Sequence, residues 1–353
     1  MLAPALRRDY GLSLAQTGLL ISCSLVGSLV SLIPWGFATD RFGERIVLVL
    51  GLAACGAALL AASRVQGFWA LAALLVVAGG TGASVQSASG RAVLHWFPRR
   101  QRGLALAIRQ TAIPISGFLT ALVIPHVGGV ENGFLVLGFA CLAGALVGGL
   151  VLREGPEQDP VTDEPGLSPI RDRRIWRLSI GSSFLLAPQL CVAGFAVLYL
   201  HDVRGLSAGA AGAVLAVMQA LAIAGRIGAG RWSDLRESRL RPLRAIALTV
   251  CGLVALTTVL LDAPLPVLLP VLVVTGALAM SWNSLSFAAA IELAGPGRSG
   301  SAIGLQQTLL NLPSTTYPGL FGALVAATSW HVGFGVVALF PLAGWAVLRA
   351  LPG

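Results

Sequence analysis

Lysine is absent from this chain. The 24 basic residues are all arginine, set against 15 acidic residues and 4 histidines, for a net charge of +9. Charged residues make up only 11% of the 353 positions, where a soluble globular domain carries about 25%. That is too few to cover the surface of a soluble fold of this length. A bilayer removes the need, because lipid faces apolar side chains directly. Cysteine is also sparse and scattered: Cys23, Cys55, Cys141, Cys191 and Cys251 show no C-x-x-C and no metal-ligand spacing. All five lie in apolar runs, where cysteine is a small packing residue, so neither a structural disulfide nor a metal site is expected. The opening residues have no short apolar core followed by a small-residue cleavage site, so no signal peptide is predicted. The Gly-rich stretch GGTGASVQSASG (79–90) lacks the Lys-Ser/Thr of a phosphate loop and reads as close helix packing. No catalytic triad is visible, and neither an enzyme nor a cofactor is expected.

What is present is apolar sequence, 56% of the chain. Runs of roughly 20 apolar residues can cross about 30 Å of hydrocarbon. Eleven are predicted: 16–38, 46–63, 68–93, 102–125, 132–152, 176–200, 208–232, 243–261, 264–289, 299–327 and 330–349. The loops after spans one, three, five, seven and nine hold most of the arginines, among them Arg41, Arg45, Arg99, Arg100, Arg153, Arg171, Arg236, Arg241 and Arg298. Alternate loops hold Arg64, Arg204 and little else. The positive-inside rule places the Arg-rich loops in the cytoplasm, with the N-terminus outside and the C-terminus inside. A basic excess can also serve nucleic acid, but here it follows the span ends, so the partner is a lipid bilayer and no nucleic acid is expected. The segment REGPEQDPVTDEPGLSPIRDRR is charged and Pro-rich. It reads as a cytoplasmic linker, 153–174, between an N-terminal bundle at 1–152 and a C-terminal bundle at 175–353.

The halves echo each other. GLSLAQTG (11–18) resembles GLSAGAAG (205–212); Gly36-x-x-x-Asp40 matches Gly230-x-x-x-Asp234 at the same offset; Arg109-Gln110-Thr111 matches Gln306-Gln307-Thr308 at nearly that offset. Internal repeats of this kind mark secondary transporters, with the substrate site near the midplane.

GFATDRFGER (36–45) resembles the signature of the major facilitator superfamily, with Gly36, Asp40, Arg41, Gly43 and Arg45 in place and Glu44 where a basic residue is usual. GRWSDLRESR (230–239) is its second-half echo, keeping Gly230 and Asp234. WFPRRQRGLALAIRQTAIP (96–114) loosely resembles bacterial cyanate-permease-like members. The resemblance implies an all-α polytopic fold of two pseudo-symmetric bundles. Eleven transmembrane helices are expected in the visible sequence, with the first of the family's twelve expected to be missing from it and a true eleven-span protein as the alternative. The repeat places that missing span before Met1, so an N-terminally truncated sequence is expected. The resemblance also puts Asp40 beside the helix entering at about Ser299 and, by the repeat, Asp234 beside the helix starting near Gly103. A carboxylate at a helix N-terminus is stabilised there, so both read as cytoplasmic gating latches. The plain alternative is solvated loop charges that fix topology.

Ionisable residues inside a span are costly and mark function. Arg109 and Arg226 lie within spans, with Arg91, His95 and Glu292 near the Arg-rich ends. Fixed positive charge facing a cavity suits an anion; the alternative is snorkelling to the headgroups. Gln86, Gln110, Gln189, Gln219, Asn283, Gln306, Gln307, Asn311 and Tyr317 supply neutral hydrogen-bonding groups for a moderately polar cavity, though any one can simply tie two helices together. His126, His201 and His331 fall at predicted external ends. No Asp or Glu lies mid-span. The expected protein is a monomeric secondary transporter in a cell membrane, moving a small organic solute by alternating access. An organic anion is one candidate solute, and a proton or other ion is a candidate for coupling. A non-transporting membrane sensor or scaffold is the alternative.

Overall fold

The computed structural model describes residue 11 and residues 14–123, 127–153 and 168–351. The opening residues 1–10, His126 and most of the predicted linker lie outside them. The described residues form α1 (Leu14–Phe42), α2 (Glu44–Ala62), α3 (Phe68–Gly82), α4 (Ser84–Trp96), α5 (Arg102–Gln110), α6 (Ala112–Val123), α7 (Val130–Val151), α8 (Arg173–Asp202), α9 (Ala208–Leu235), α10 (Leu240–Val259), α11 (Leu265–Ala279), α12 (Asn283–Ala294), α13 (Ser299–Ala327) and α14 (Trp330–Leu348), with no strand among them. Large apolar side chains such as Val30, Leu150 and Val259 point outward, while serines and alanines fill much of the interior. That is the inside-out pattern of helices packed in lipid, where small residues let backbones approach.

Nine of the eleven predicted spans are, among the described residues, long and apolar enough to cross a membrane. The other two are each interrupted or diluted by polar residues. Span 102–125 is cut at Thr111 into α5 and α6, and in α13 the run Gln306, Gln307 and Asn311 dilutes the apolar character.

Three predicted spans are interrupted rather than continuous. The α5/α6 break follows from Pro114, which has no N–H for the carbonyl of Gln110, four residues back. At the α3/α4 break around Ala83, the carbonyl of Gly80 accepts from Ser31 Oγ and Trp35 Nε1, both at 2.7 Å. At the α11/α12 break, the carbonyl of Met280 accepts from Arg226 Nε at 2.8 Å. In both cases a side chain from another helix occupies a carbonyl that the ladder would otherwise use.

The chain divides into two compact units. The first comprises Met1–Trp96, Ala112–Pro169 and Ala294–Thr308; the second comprises Phe97–Thr111, Ile170–Leu293 and Leu309–Gly353. Each unit thus differs from a plain half of the chain by one segment, the start of α13 in the first and α5 in the second. The first unit has a core of Leu20, Leu71, Leu75, Val130 and Phe134. The second holds an aromatic cluster in which Tyr199 stacks edge-on against Trp330, and its hydroxyl donates to the carbonyl of Leu261 at 2.7 Å.

Candidate functional site

The first unit builds its site where α1 ends. Gly43 adopts φ 83°, a left-handed conformation that glycine tolerates best, and turns the chain into α2. Gly36 faces the start of α13 so closely that a Cβ there would lie 2.6 Å from the carbonyl oxygen of Gly300. This close crossing brings Asp40 onto the first turn of α13. Its two carboxylate oxygens accept from the main-chain N–H groups of Gly300 and Ser301, both at 2.8 Å. The first N–H groups of a helix have no partner within the helix, and a negative charge there is favoured by about 0.3–2 kcal/mol.

A charged network continues from Asp40. Arg91 on α4 lies 3.6 Å from Asp40 and 3.5 Å from Glu44, and donates to the carbonyl of Thr39. Glu44 is buried and meets Nδ1 of His95 at 3.0 Å. Arg45, the last residue of the sequence motif, instead donates to the carbonyl of Gly149 at 3.0 Å, and Arg41 is exposed beside the ring of Phe42.

The second unit repeats the arrangement. Gly230 and Gly103 cross closely, and a Cβ on Gly230 would lie 2.5 Å from the carbonyl oxygen of Gly103. Asp234 accepts from the N–H groups of Gly103 at 3.0 Å and Leu104 at 2.9 Å, at the start of α5. Arg239 lies 2.5 Å from Asp234 and 2.8 Å from Glu292, and Arg99 lies 3.6 Å from Glu292.

Of the predicted inner polar residues, Arg109, Gln110 and Arg226 come together in the second unit. Arg109 Nη1 is 3.5 Å from Gln110 Oε1. Arg226 is buried and donates from Nη1 to the carbonyl of Gln110 at 3.4 Å, besides its bond to Met280. Its guanidinium therefore caps two interrupted helix ends, a role the sequence did not suggest. Gln219 and Asn311 are half-buried in the same unit; Gln86 and Gln307 are half-buried in the first unit, and Gln306 is fully buried there. Tyr317 stands apart from these polar residues. It lines an apolar cavity of about 70 Å³ with Cys191, Phe321 and Phe340.

Sequence reasoning named Asn283 and Gln189 but missed the serines that stand with them. Ser84 and Ser87 follow the α3/α4 break; Trp282, Asn283 and Ser284 flank the α11/α12 break. Each carries a buried polar atom with no hydrogen-bond partner among the described residues, as does Gln189. The two breaks stand at corresponding places in the repeat, and Ser87 corresponds to Ser284. Paired interruptions in corresponding segments are the sequence pointer to a transporter binding site. The α3/α4 break follows Gly79, Gly80 and Gly82, which the sequence reading took as close packing, whereas the α11/α12 break has no proline or glycine beside it.

A family model described as Major Facilitator Superfamily matches residues 1–316. An uncharacterized MFS-type transporter from Mycobacterium tuberculosis is 33% identical over 347 residues, covering 97% of this chain and 78% of that protein. A probable sulfoacetate transporter from Cupriavidus necator is 29% identical over 160 residues, covering 44% of this chain and 37% of its own. Among solved structures, the E. coli fucose:proton symporter superposes with a TM-score of 0.77 at 17% identity, covering 99% of this chain and 93% of that one. The last likeness concerns the fold alone.

Proposed function

The chain belongs to the major facilitator superfamily and is a multi-pass membrane transporter rather than an enzyme, and on that footing we propose that it moves a small organic anion by alternating access, as a secondary active carrier. The observation that carries the mechanism is the repeated carboxylate. Asp40 and Asp234 each take two N–H groups at the start of a helix, and each sits at a glycine crossing tight enough to hold that register. Two charge-assisted bonds of about 1.5–3 kcal/mol each are strong enough to hold a closed state and weak enough to be broken in a transport cycle. Gly36, Gly43, Gly230, Arg41 and Arg45 shape and flank the latches.

The Arg-rich end is assigned to the cytoplasm by the positive-inside rule. That puts both latches, the linker and the C-terminus on the cytoplasmic side of a bacterial inner membrane. The functional halves are the bundles 1–152 and 175–353, and the protein works as a monomer. Arg109 is the cation offered to the substrate. Arg226 is a second candidate, its guanidinium held by the carbonyls of Met280 and Gln110. Gln86, Gln110, Gln219, Asn283, Gln306, Gln307 and Asn311 form the neutral contact set, while Tyr317, in its apolar cavity, is left out of it. Sulfoacetate, in the name of one relative, is an organic anion and supports this class. A proton or another ion is the coupled species.

The test is uptake by proteoliposomes of a panel of organic anions and neutral solutes. Asp40→Asn is expected to lower all uptake, and Arg109→Ala to lower anion uptake selectively. Wild-type rates in both variants would overturn the assignments.

A further inference from the structure

The two latches are built alike but charged differently. In the second unit, Asp234 and Glu292 face Arg239 and Arg99. Two negative charges meet two guanidinium groups, and arginine keeps its charge at any physiological pH. In the first unit, Asp40 and Glu44 face one guanidinium, Arg91. The fourth place is taken by His95, 3.0 Å from Glu44. The repeat makes this an inversion. Arg239 corresponds to Arg45 and Glu292 to His95, but His95 meets Glu44, which stands at the place of Ser238; where the second unit pairs a guanidinium with an acid, the first pairs an acid with an imidazole. Arg45 itself has turned away to Gly149.

We propose that the Glu44–His95 pair is a proton-binding site that sets the strength of the Asp40 latch. This rests on reading Asp40 as the cytoplasmic latch. Nδ1 faces the carboxylate, so it carries its hydrogen in both protonation states. The added proton, taken from cytoplasmic water, goes to Nε2, and no other bond forms or breaks. With a neutral imidazole the cluster holds one uncompensated negative charge beside Asp40. Glu44, buried, draws on the same Arg91 that Asp40 needs. With an imidazolium the cluster is neutral, and Arg91 is left to Asp40. Low cytoplasmic pH therefore tightens the latch, and rising pH loosens it. Imidazole is the side chain whose charge changes between about pH 5 and 8.

The other charged groups on the elements around His95 do not replace this charge. Arg41 is exposed beside Phe42, and Arg45 bonds Gly149. Arg153 is exposed, and its carbonyl accepts from Trp96. Arg298, on the turn Pro296–Arg298 that packs on α1 and α4, makes no ion pair with Asp40 or Glu44 among the described residues. α3 carries no charge.

The experiment is amide hydrogen exchange of the reconstituted full chain, followed by mass spectrometry and corrected for intrinsic exchange. It reads the segment holding Gly300 and Ser301, whose N–H groups bond Asp40. The segment holding Gly103 and Leu104 is the internal control. From about pH 5.5 to about pH 8, wild-type protection at Gly300–Ser301 is expected to fall about fivefold to tenfold, while the control stays level. His95→Gln is expected to remove the pH dependence and stay at the low value. Glu44→Gln removes the uncompensated charge and is expected to stay at the high value. Level wild-type protection, or pH dependence retained in His95→Gln, overturns the proposal. If His95→Gln fails to fold, both segments lose protection and Glu44→Gln decides: pH dependence that survives there overturns the proposal. Level protection in an actively transporting wild type would sink this site and leave the transporter reading intact. The expected pH response without transport of any solute would do the reverse.

Discussion

Two glycines two residues apart on α9 should behave as opposites. A Cβ on Gly228 meets nothing within 4 Å, while a Cβ on Gly230 lies 2.5 Å from the carbonyl oxygen of Gly103 and 3.0 Å from Ala107. Ordinary contact begins at 3.4 Å, so Gly230→Ala requires α9 and α5 to part by about 0.9 Å, the gap between these two distances. The Asp234 bonds to Gly103 and Leu104 are 3.0 and 2.9 Å long. The same displacement takes both past about 3.5 Å, beyond hydrogen-bond reach. A bond to a charged group contributes about 1.5–3 kcal/mol. Water that follows the parted helices recovers part of that for the two N–H groups, leaving a net loss of about 2–4 kcal/mol. At about 1.4 kcal/mol per factor of ten, amide exchange at Gly103 and Leu104 should accelerate about 30-fold to 1000-fold in Gly230→Ala. Gly228→Ala should leave it unchanged and stabilise α9 by about 0.5–1 kcal/mol through helix propensity. Equal exchange in the two variants would refute the claim that the glycine crossing holds the carboxylate in place.

Arg226→Met keeps the apolar stem but strips the donors from the carbonyls of Met280 and Gln110. The melting temperature in detergent should fall, by the equivalent of about 1–3 kcal/mol, while anion selectivity in uptake is kept. Cys55 and Cys141 face each other with Sγ atoms 3.8 Å apart; a thiol oxidant such as diamide should take two electrons from them, release two protons and form an α2–α7 disulfide seen in non-reducing peptide mapping. Burial pushes the Asp172 carboxyl up, but hydrogen bonds from the side chain and N–H of Arg174 outweigh it and hold it below the usual carboxylate range. Its capping of α8 is thus present above the pKa of a free carboxylate and lost as pH falls through the lowered value. Asp172→Ala should cost about 1 kcal/mol at neutral pH and nothing in acid, read as exchange at the start of α8.

The membrane fold was legible because apolar runs, arginine-flanked ends and a repeated motif are local properties. The placement of Asp40 and Asp234 followed from the motif and the repeat, and the hydrogen bonds to Gly300, Ser301, Gly103 and Leu104 match it. Their role in gating is a separate claim that only function can test. What escaped the sequence depends on contacts between distant residues. The α3/α4 and α11/α12 breaks arise where Ser31, Trp35 and Arg226 reach carbonyls of other helices. Gly79, Gly80 and Gly82 stand before the first and Pro114 follows the α5/α6 break, but Pro34 and Pro188 lie inside continuous helices, so neither residue type by itself marks a break. Glu44 was visible as a departure from the motif. Its partner His95 lies 51 positions away, so the inverted charge pattern emerged only once α2 and α4 were packed together.

The most direct measurement is counterflow in proteoliposomes. Vesicles preloaded with an unlabelled organic anion are diluted into a trace of the labelled one. An alternating-access carrier exchanges the two, and labelled anion should rise transiently above its equilibrium level with the wild-type chain. The overshoot should collapse when Asp40→Asn and Asp234→Asn are combined. A folded wild-type protein that shows no overshoot with any anion or neutral solute of the panel, or an overshoot that the double variant leaves intact, would contradict the account.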